Sequence, residues 1–261
     1  MAIHDRPGVF LEDLTWPEAE ARFDAGAGVV VPIGAAAKEH GPHLPLGTDY
    51  RLARALAERI AEALPVVVAP IVGFGYYPAF VNYPGSQHLT AATFMALVEE
   101  LLGNLVAHGV GRIAIVNTGV STEAPLQIAA RRIKERTGVT PAIADIRGLG
   151  SSARHLLEQK AGGHADEHET SLMLAIDPEA VRLDRAEPDY GHALAAPASV
   201  FHRAVTFTSD PAAGADYSKT GAFGDPTLAT AEKGRAFLDA MANDLIDGLR
   251  ASFPEAFEAK T

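Results

Sequence analysis

The chain has 261 residues, no cysteine, and 33 acidic against 22 basic side chains, for a formal charge of −11. Without cysteine there are no disulfides, thiolate metal ligands or cysteine nucleophiles, so any metal must be held by His, Asp, Glu, carbonyl or water oxygen. The acidic balance argues against nucleic acid as a main partner. No apolar run approaches the ~20 residues of a membrane span, and the N-terminus has no apolar signal region. A hydrophobic content of 48% supports one large core, so a single cytoplasmic domain over 1–261 is expected.

In chain order, Val29–Ile33 is a continuous apolar run, read as a buried strand that ends at Gly34. Residues 50–64 place Leu52, Ala55, Leu56, Ile60 and Leu64 at helical spacing, with Thr48 or Asp49 as the expected N-cap. Residues 66–70 form a second apolar strand, and 90–108 a long helix capped by Thr90, with Gly109 beyond its end. A third strand is expected at 113–116, a helix with a basic end at 124–136, a fourth strand at 141–146, and helices at Glu167–Ile176 and 228–249. Strands that are apolar throughout are covered on both faces. A three-layer α/β/α fold with a mostly parallel central sheet follows. Residues 186–222, rich in Ala, Pro, Gly and Ser, read as a long excursion over that domain, either strands or a lid. In such sheets sites form at the C-terminal strand ends, here the loops 34–49, 73–85 and 117–122.

The first of these loops carries Lys38-Glu39-His40-Gly41-Pro42-His43-Leu44-Pro45-Leu46-Gly47-Thr48-Asp49. Its glycines and prolines exclude helix. His40 and Asp49, from opposite ends of one tight loop, can converge on a divalent cation, with Glu39 beside them. A polar surface turn is the plain alternative. A second cluster is His164-Ala165-Asp166-Glu167-His168-Glu169-Thr170-Ser171. His164 and His168 share a helix face if the helix begins near His164. Glu169 would then lie about 140° from His164, so His164 and Glu169 reach one site only if His164 sits on the preceding loop, as Gly162-Gly163 allows. An acidic helix start is the plain alternative there. The aromatic loop of Tyr76, Tyr77, Phe80 and Tyr83 reads either as a pocket wall or as packing over the sheet edge.

These two segments resemble the signatures of the creatininase family, the creatinine amidohydrolases and their relatives. Tyr83-Pro84-Gly85-Ser86 is similar to the family's aromatic-Pro-Gly-Thr/Ser segment, and Gly224-Asp225-Pro226 with Ala229-Thr230-Ala231-Glu232-Lys233-Gly234 to its C-terminal block. The anchors run from about residue 28 to 250. The resemblance implies that His40 and Asp49 are metal ligands, Asp49 bridging two ions, that His164 shuttles protons and that Glu169 binds metal or substrate. It also implies a homohexamer.

Two departures stand out. The family places a ligand Glu two residues before the His, where this chain has Lys38, either a solvated charge or a charge partner for a site carboxylate, and Glu39 either takes over through a local bulge or leaves one metal site altered. After the third strand the family has a ligand His where this chain has Gly119, within Asn117-Thr118-Gly119-Val120-Ser121-Thr122. Either His168 or His88 fills that place, or the centre holds one metal. The expected protein is a metal-dependent hydrolase with one or two Zn²⁺ or Mn²⁺ ions, which uses metal-activated water to cleave a C–N bond of a small cyclic amide or formamide-type substrate. A mononuclear hydrolase or isomerase of another small carbonyl or sugar-like compound, and a degenerate binding subunit, are the alternatives.

Overall fold

The computed structural model describes residues 6–191 and 204–257. Five parallel strands form one sheet: β1 (Val9–Phe10), β2 (Val29–Ile33), β3 (Val67–Val68), β4 (Ile113–Asn117) and β5 (Ala142–Asp145), in the order β1-β3-β2-β4-β5. Seven α-helices are described: α1 (Trp16–Asp24), α2 (Thr48–Ala63), α3 (Ala91–Ala107), α4 (Glu123–Thr137), α5 (Glu167–Ile176), α6 (Ala231–Ser252) and the short α7 (Pro254–Phe257). The three-layer α/β/α expectation holds. Alternation along β2 puts Val29, Val31 and Ile33 into a core with Phe94, Val98 and Leu102 of α3 and Leu126 and Ile133 of α4. Val30 faces the opposite core, built with Leu56 and Ile60 of α2 and Phe237 and Met241 of α6.

Three local expectations are corrected. The N-cap of α2 is Gly47, and Thr48 and Asp49 lie inside the first turn, where the Thr48 hydroxyl donates to the Pro45 carbonyl. The second strand pairs over two residues only, and α6 starts three residues later than its apolar period suggests, because Thr230 caps it by accepting from Lys233 N. The chain also has β1 and α1, which the sequence reading did not anticipate. Of the 186–222 excursion, 192–203 lies outside the described residues, as do His192 and His202. The rest crosses the domain through isolated bridges, Asp189 with Gly224 and Thr208 with Tyr217, rather than through a named strand.

The strand order places the site. The chain leaves central β2 to one side, towards β3, and returns to the other as β4, so the loops after β2 and β4 open a crevice at a topological switch. Gly34, where β2 ends, permits close approach: a Cβ there would run into the Asp49 carbonyl and the Thr118 hydroxyl. That brings the first turn of α2 against the sheet edge, where Thr118 Oγ1 donates to the Asp49 carbonyl at 3.0 Å.

Candidate metal centre

The 34–47 loop folds inward, not outward. Lys38, Glu39, His40, His43 and Asp49 are all buried. Gly41, at φ +71°, makes the turn that a side chain would strain, and its N–H donates to Glu39 Oε1. Glu39 N donates to Ser86 Oγ at 3.0 Å, so the Tyr83–Ser86 segment supports the loop. On the far side, Asp166 caps α5 by accepting from Glu169 N at 3.0 Å, and His164 stays on the preceding loop. Ala165 takes φ +47° between them and donates its N–H to Glu169 Oε2 at 2.6 Å.

The result is a cluster of facing carboxylates and imidazoles. His164 Nε2 lies 3.0 Å from Glu39 Oε2 and its Nδ1 3.7 Å from Glu169 Oε2. His40 Nε2 lies 2.9 Å from Asp49 Oδ1, and the two imidazoles have centroids 4.9 Å apart. Ligand atoms of His40, His164 and Glu169 fall within 4.8 Å of one another, a group of three able to hold a metal ion. Lys38 Nζ is 2.7 Å from Asp49 Oδ2, and Phe80 lies against both His164 (centroids 4.1 Å apart) and the Lys38 ammonium (5.2 Å).

The donor set fits a divalent ion. His40 Nδ1 lies 2.9 Å from the Lys38 carbonyl, which can only accept, so that nitrogen carries the proton. Nε2 then faces the Asp49 carboxylate, also an acceptor, and a second proton or a cation must satisfy the pair. Three neighbouring carboxylates and two imidazoles form the nitrogen and oxygen set that Zn²⁺ or Mn²⁺ takes.

The electrostatics agree with a site built around positive charge. Burial pushes the Glu169 carboxyl up to about 7, against the pull of His164 and Lys38. Burial also opposes ionisation of Asp49, but Lys38 and His40 outweigh it and hold this carboxyl well below the usual range. Burial of Lys38 is likewise overcome, by Asp49, Glu169 and Glu39, and its ammonium is held above its ordinary value. Glu39 is held low, burial being outweighed by His164.

His40, Asp49, Glu39, His164 and Glu169 are thus brought together. His168 is not. One residue before Glu169 on α5, it points about 100° away, with its ring edge-on to Phe237 at 4.3 Å between centroids. His88 is exposed and bonds the Leu89 carbonyl. Gly119 stays a backbone position in a loop that Asn117 closes, accepting from Thr122 Oγ1 at 2.6 Å and donating to the Gly119 carbonyl. Neither histidine belongs to the His40–His164–Glu169 group. Phe80, Ser86 and Gly221 complete the site without any signal in spacing, although the aromatic loop was legible as a candidate wall.

A cavity of about 470 Å³ adjoins Glu169 and His168, with Arg147, Arg154, Gln159 and Asp166 among its polar lining. A larger groove, about 880 Å³, runs between α1 and α3 past Trp16, Phe23 and Leu101. It is apolar and contains none of the clustered groups, so the smaller cavity is the one next to the chemistry.

A parallel sheet between two helix layers, with buried His and carboxylate groups at its switch point, is a scaffold that could hold a divalent metal ion. Residues 12–249 match the creatininase family, described as creatinine amidohydrolase, and the chain belongs to that family. It is 29% identical over 265 residues to the creatinine amidohydrolase of Pseudomonas putida, covering 94% of this chain and 98% of that one. It is 31% identical over 241 residues to the mycofactocin precursor peptide peptidase of Mycobacterium tuberculosis, 87% and 86% covered, and 26% identical over 275 residues to the 3-dehydro-scyllo-inosose hydrolase of Thermotoga maritima, 98% and 87% covered. Among solved structures it is similar to a creatininase described with Mn (TM-score 0.79, 26% identity, 95% and 99% covered). It is equally similar to a mutant creatininase of Zn–Zn type (TM-score 0.79, 26% identity, 94% and 98% covered). The chain is a creatininase-family hydrolase, and the family structures with Mn and Zn support a divalent metal cofactor.

Proposed function

We propose that the chain is a metal-dependent amidohydrolase that cleaves a C–N bond of a small cyclic amide or formamide-type substrate. The observation that carries this reading is the convergence of His40, His164 and Glu169 within 4.8 Å. His40 and Glu169 would hold the ion, with Asp49 against His40 and Glu39 against His164. A bound Zn²⁺ or Mn²⁺ supplies Lewis acidity towards the carbonyl and lowers the pKa of water.

The protein's own groups supply the rest. His164, between Glu39 at Nε2 and Glu169 at Nδ1, is placed to hold a proton and pass it to the leaving nitrogen. Glu39 orients that imidazole. Phe80 covers His164 and keeps water from the inner side. The 470 Å³ cavity beside Glu169 suits a small molecule and is lined by donors that can fix a polar one.

A second reading is hydrolysis of another small carbonyl or sugar-like compound, which the likeness to the Thermotoga maritima inosose hydrolase favours. A homohexamer, which the resemblance implies, belongs to the proposal and is tested by light scattering. Elemental analysis of desalted protein, paired with hydrolysis assays on creatinine, formamides and inososes before and after chelation, tests the function. Metal-dependent ring opening of creatinine to creatine, or amine or ammonia release from a formamide, supports the first reading. Turnover of inososes alone selects the second, and retention of no Zn²⁺ or Mn²⁺ rejects both.

A further inference from the structure

Lys38 has no place in the chemistry above, yet it is buried at the centre of the cluster, 6% exposed. Its two ends do different work. The carbonyl accepts from His40 Nδ1 and sets that ring, while the ammonium pairs with Asp49 and lies over the Phe80 ring. Lys38, Asp49, Gly119 and Ser121 line one cavity of about 20 Å³, which leaves room for about one water. On the other side of Asp49 stands the His40–His164–Glu169 group. Asp49 therefore has an ammonium on one oxygen and a histidine of the candidate ion site beside the other.

We propose that the Lys38 ammonium, seated on Asp49 Oδ2, is a built-in cation that takes the place of one metal ion, so that each chain binds a single divalent ion, at His40 and Glu169 beside His164. The charge balance supports this. Glu39, Asp49 and Glu169 bring three negative charges, Lys38 returns one, and one divalent ion neutralises the remainder. Two such ions with the ammonium would leave a buried excess of positive charge, which the low-dielectric interior penalises. The cavity beside Lys38 also offers no imidazole, since Gly119 contributes only backbone.

The inference rests on the metal-hydrolase reading but fails separately from it. Metal-stripped protein is titrated with Zn²⁺ and with Mn²⁺, and bound metal is counted after desalting, for the wild type, Lys38→Glu, Lys38→Gln and Lys38→Arg. The expected wild-type value is about one equivalent, kept in Lys38→Arg, and about two in Lys38→Glu, where a carboxylate replaces the cation. Lys38→Gln, which removes only the charge, is expected to bind its first ion about tenfold more tightly. It gives the answer if Lys38→Glu does not fold. Two equivalents in the wild type overturn the inference and leave the hydrolase reading standing, as do unchanged stoichiometry in Lys38→Glu and unchanged affinity in Lys38→Gln. No metal in the wild type overturns the inference together with the hydrolase reading, whereas one equivalent without any turnover rejects the hydrolase reading alone.

Discussion

Gly221 sits against the carboxylate of Glu39, so close that a Cβ at Gly221 would overlap both Oε1 and Oε2, and its φ of +87° is one that side chains rarely adopt. The excursion that follows α5 thus reaches back to the first loop of the site. Its position is held by Asp189, whose carboxylate accepts from the Ser218 hydroxyl and from both the N–H and the hydroxyl of Thr220. Gly221→Ala is therefore expected to displace Glu39 from His164, to weaken metal binding by about tenfold or more and to cost about 1–3 kcal/mol of stability. Metal titration and urea unfolding measure the two effects. Unchanged metal affinity would show that Glu39 does not need its present place.

What the sequence shows and hides follows from the range of each interaction. The buried strands were legible because Val29–Ile33 and residues 113–116 are apolar on both faces, and α2, α3 and α4 because their apolar residues repeat at helical spacing. β1 was missed because two paired residues, Val9 and Phe10, leave no pattern. α1 was missed although Thr15 at its N-cap and Glu18 in its first turn form a capping box, because its residues are half-buried or exposed. At the site, the closeness of His40 to Asp49 was readable from one loop. The pairing of Glu39 with His164 spans 125 positions, and no local spacing encodes it. The resemblance assigned His164 and Glu169 to one site, but only the left-handed Ala165 explains how a loop residue and a helix residue meet there. Of the two readings open for Lys38, a solvated charge or a charge partner for a site carboxylate, the structure shows the second, at Asp49.

Asp49→Asn is expected to lower metal affinity about tenfold or more and to abolish hydrolysis. It also leaves the buried Lys38 ammonium without its counter-charge. Removal of one partner of such a pair costs about 3–5 kcal/mol, well above the ~1 kcal/mol of a lost helix cap, and Gly47 is the cap in any case. The double variant Asp49→Asn with Lys38→Met should recover part of the stability but none of the hydrolysis. Thermal unfolding in chelator separates the two contributions. Full recovery of metal affinity in the double variant would mean that Asp49 serves Lys38 alone.

His168 provides a contrast within α5. Its ring lies on Phe237, Nε2 has no hydrogen-bond partner among the described residues, and burial holds its imidazole below the ordinary value, so it stays neutral near pH 7. His168→Phe is expected to leave metal content unchanged and to keep stability within about 1 kcal/mol, as a volume-conserving change against an aromatic neighbour. Since His168 lines the cavity beside Glu169, any kinetic change should appear in KM rather than kcat. Loss of a metal equivalent in His168→Phe would place this histidine at the ion after all.

The remaining histidine of the loop predicts a pH dependence. His43 is 1% exposed, Nε2 lies 2.8 Å from the Thr170 hydroxyl, and burial pushes its pKa down from 6.5 to about 4. A group depressed on folding stabilises the protein above its unfolded value and loses that contribution as pH falls through the folded one. The window is therefore about pH 6.5 down to about 4, in which the unfolded chain gains a proton that the folded chain refuses. Metal-free wild type should lose roughly 2 kcal/mol more than His43→Gln between pH 7 and pH 4.5, because the substitution removes this titration while other groups continue to respond in both proteins. Urea unfolding of the chelator-treated pair at the two pH values measures the difference. Parallel loss of stability in the two proteins would show that the imidazole of His43 accepts its proton without opening the contact to Thr170.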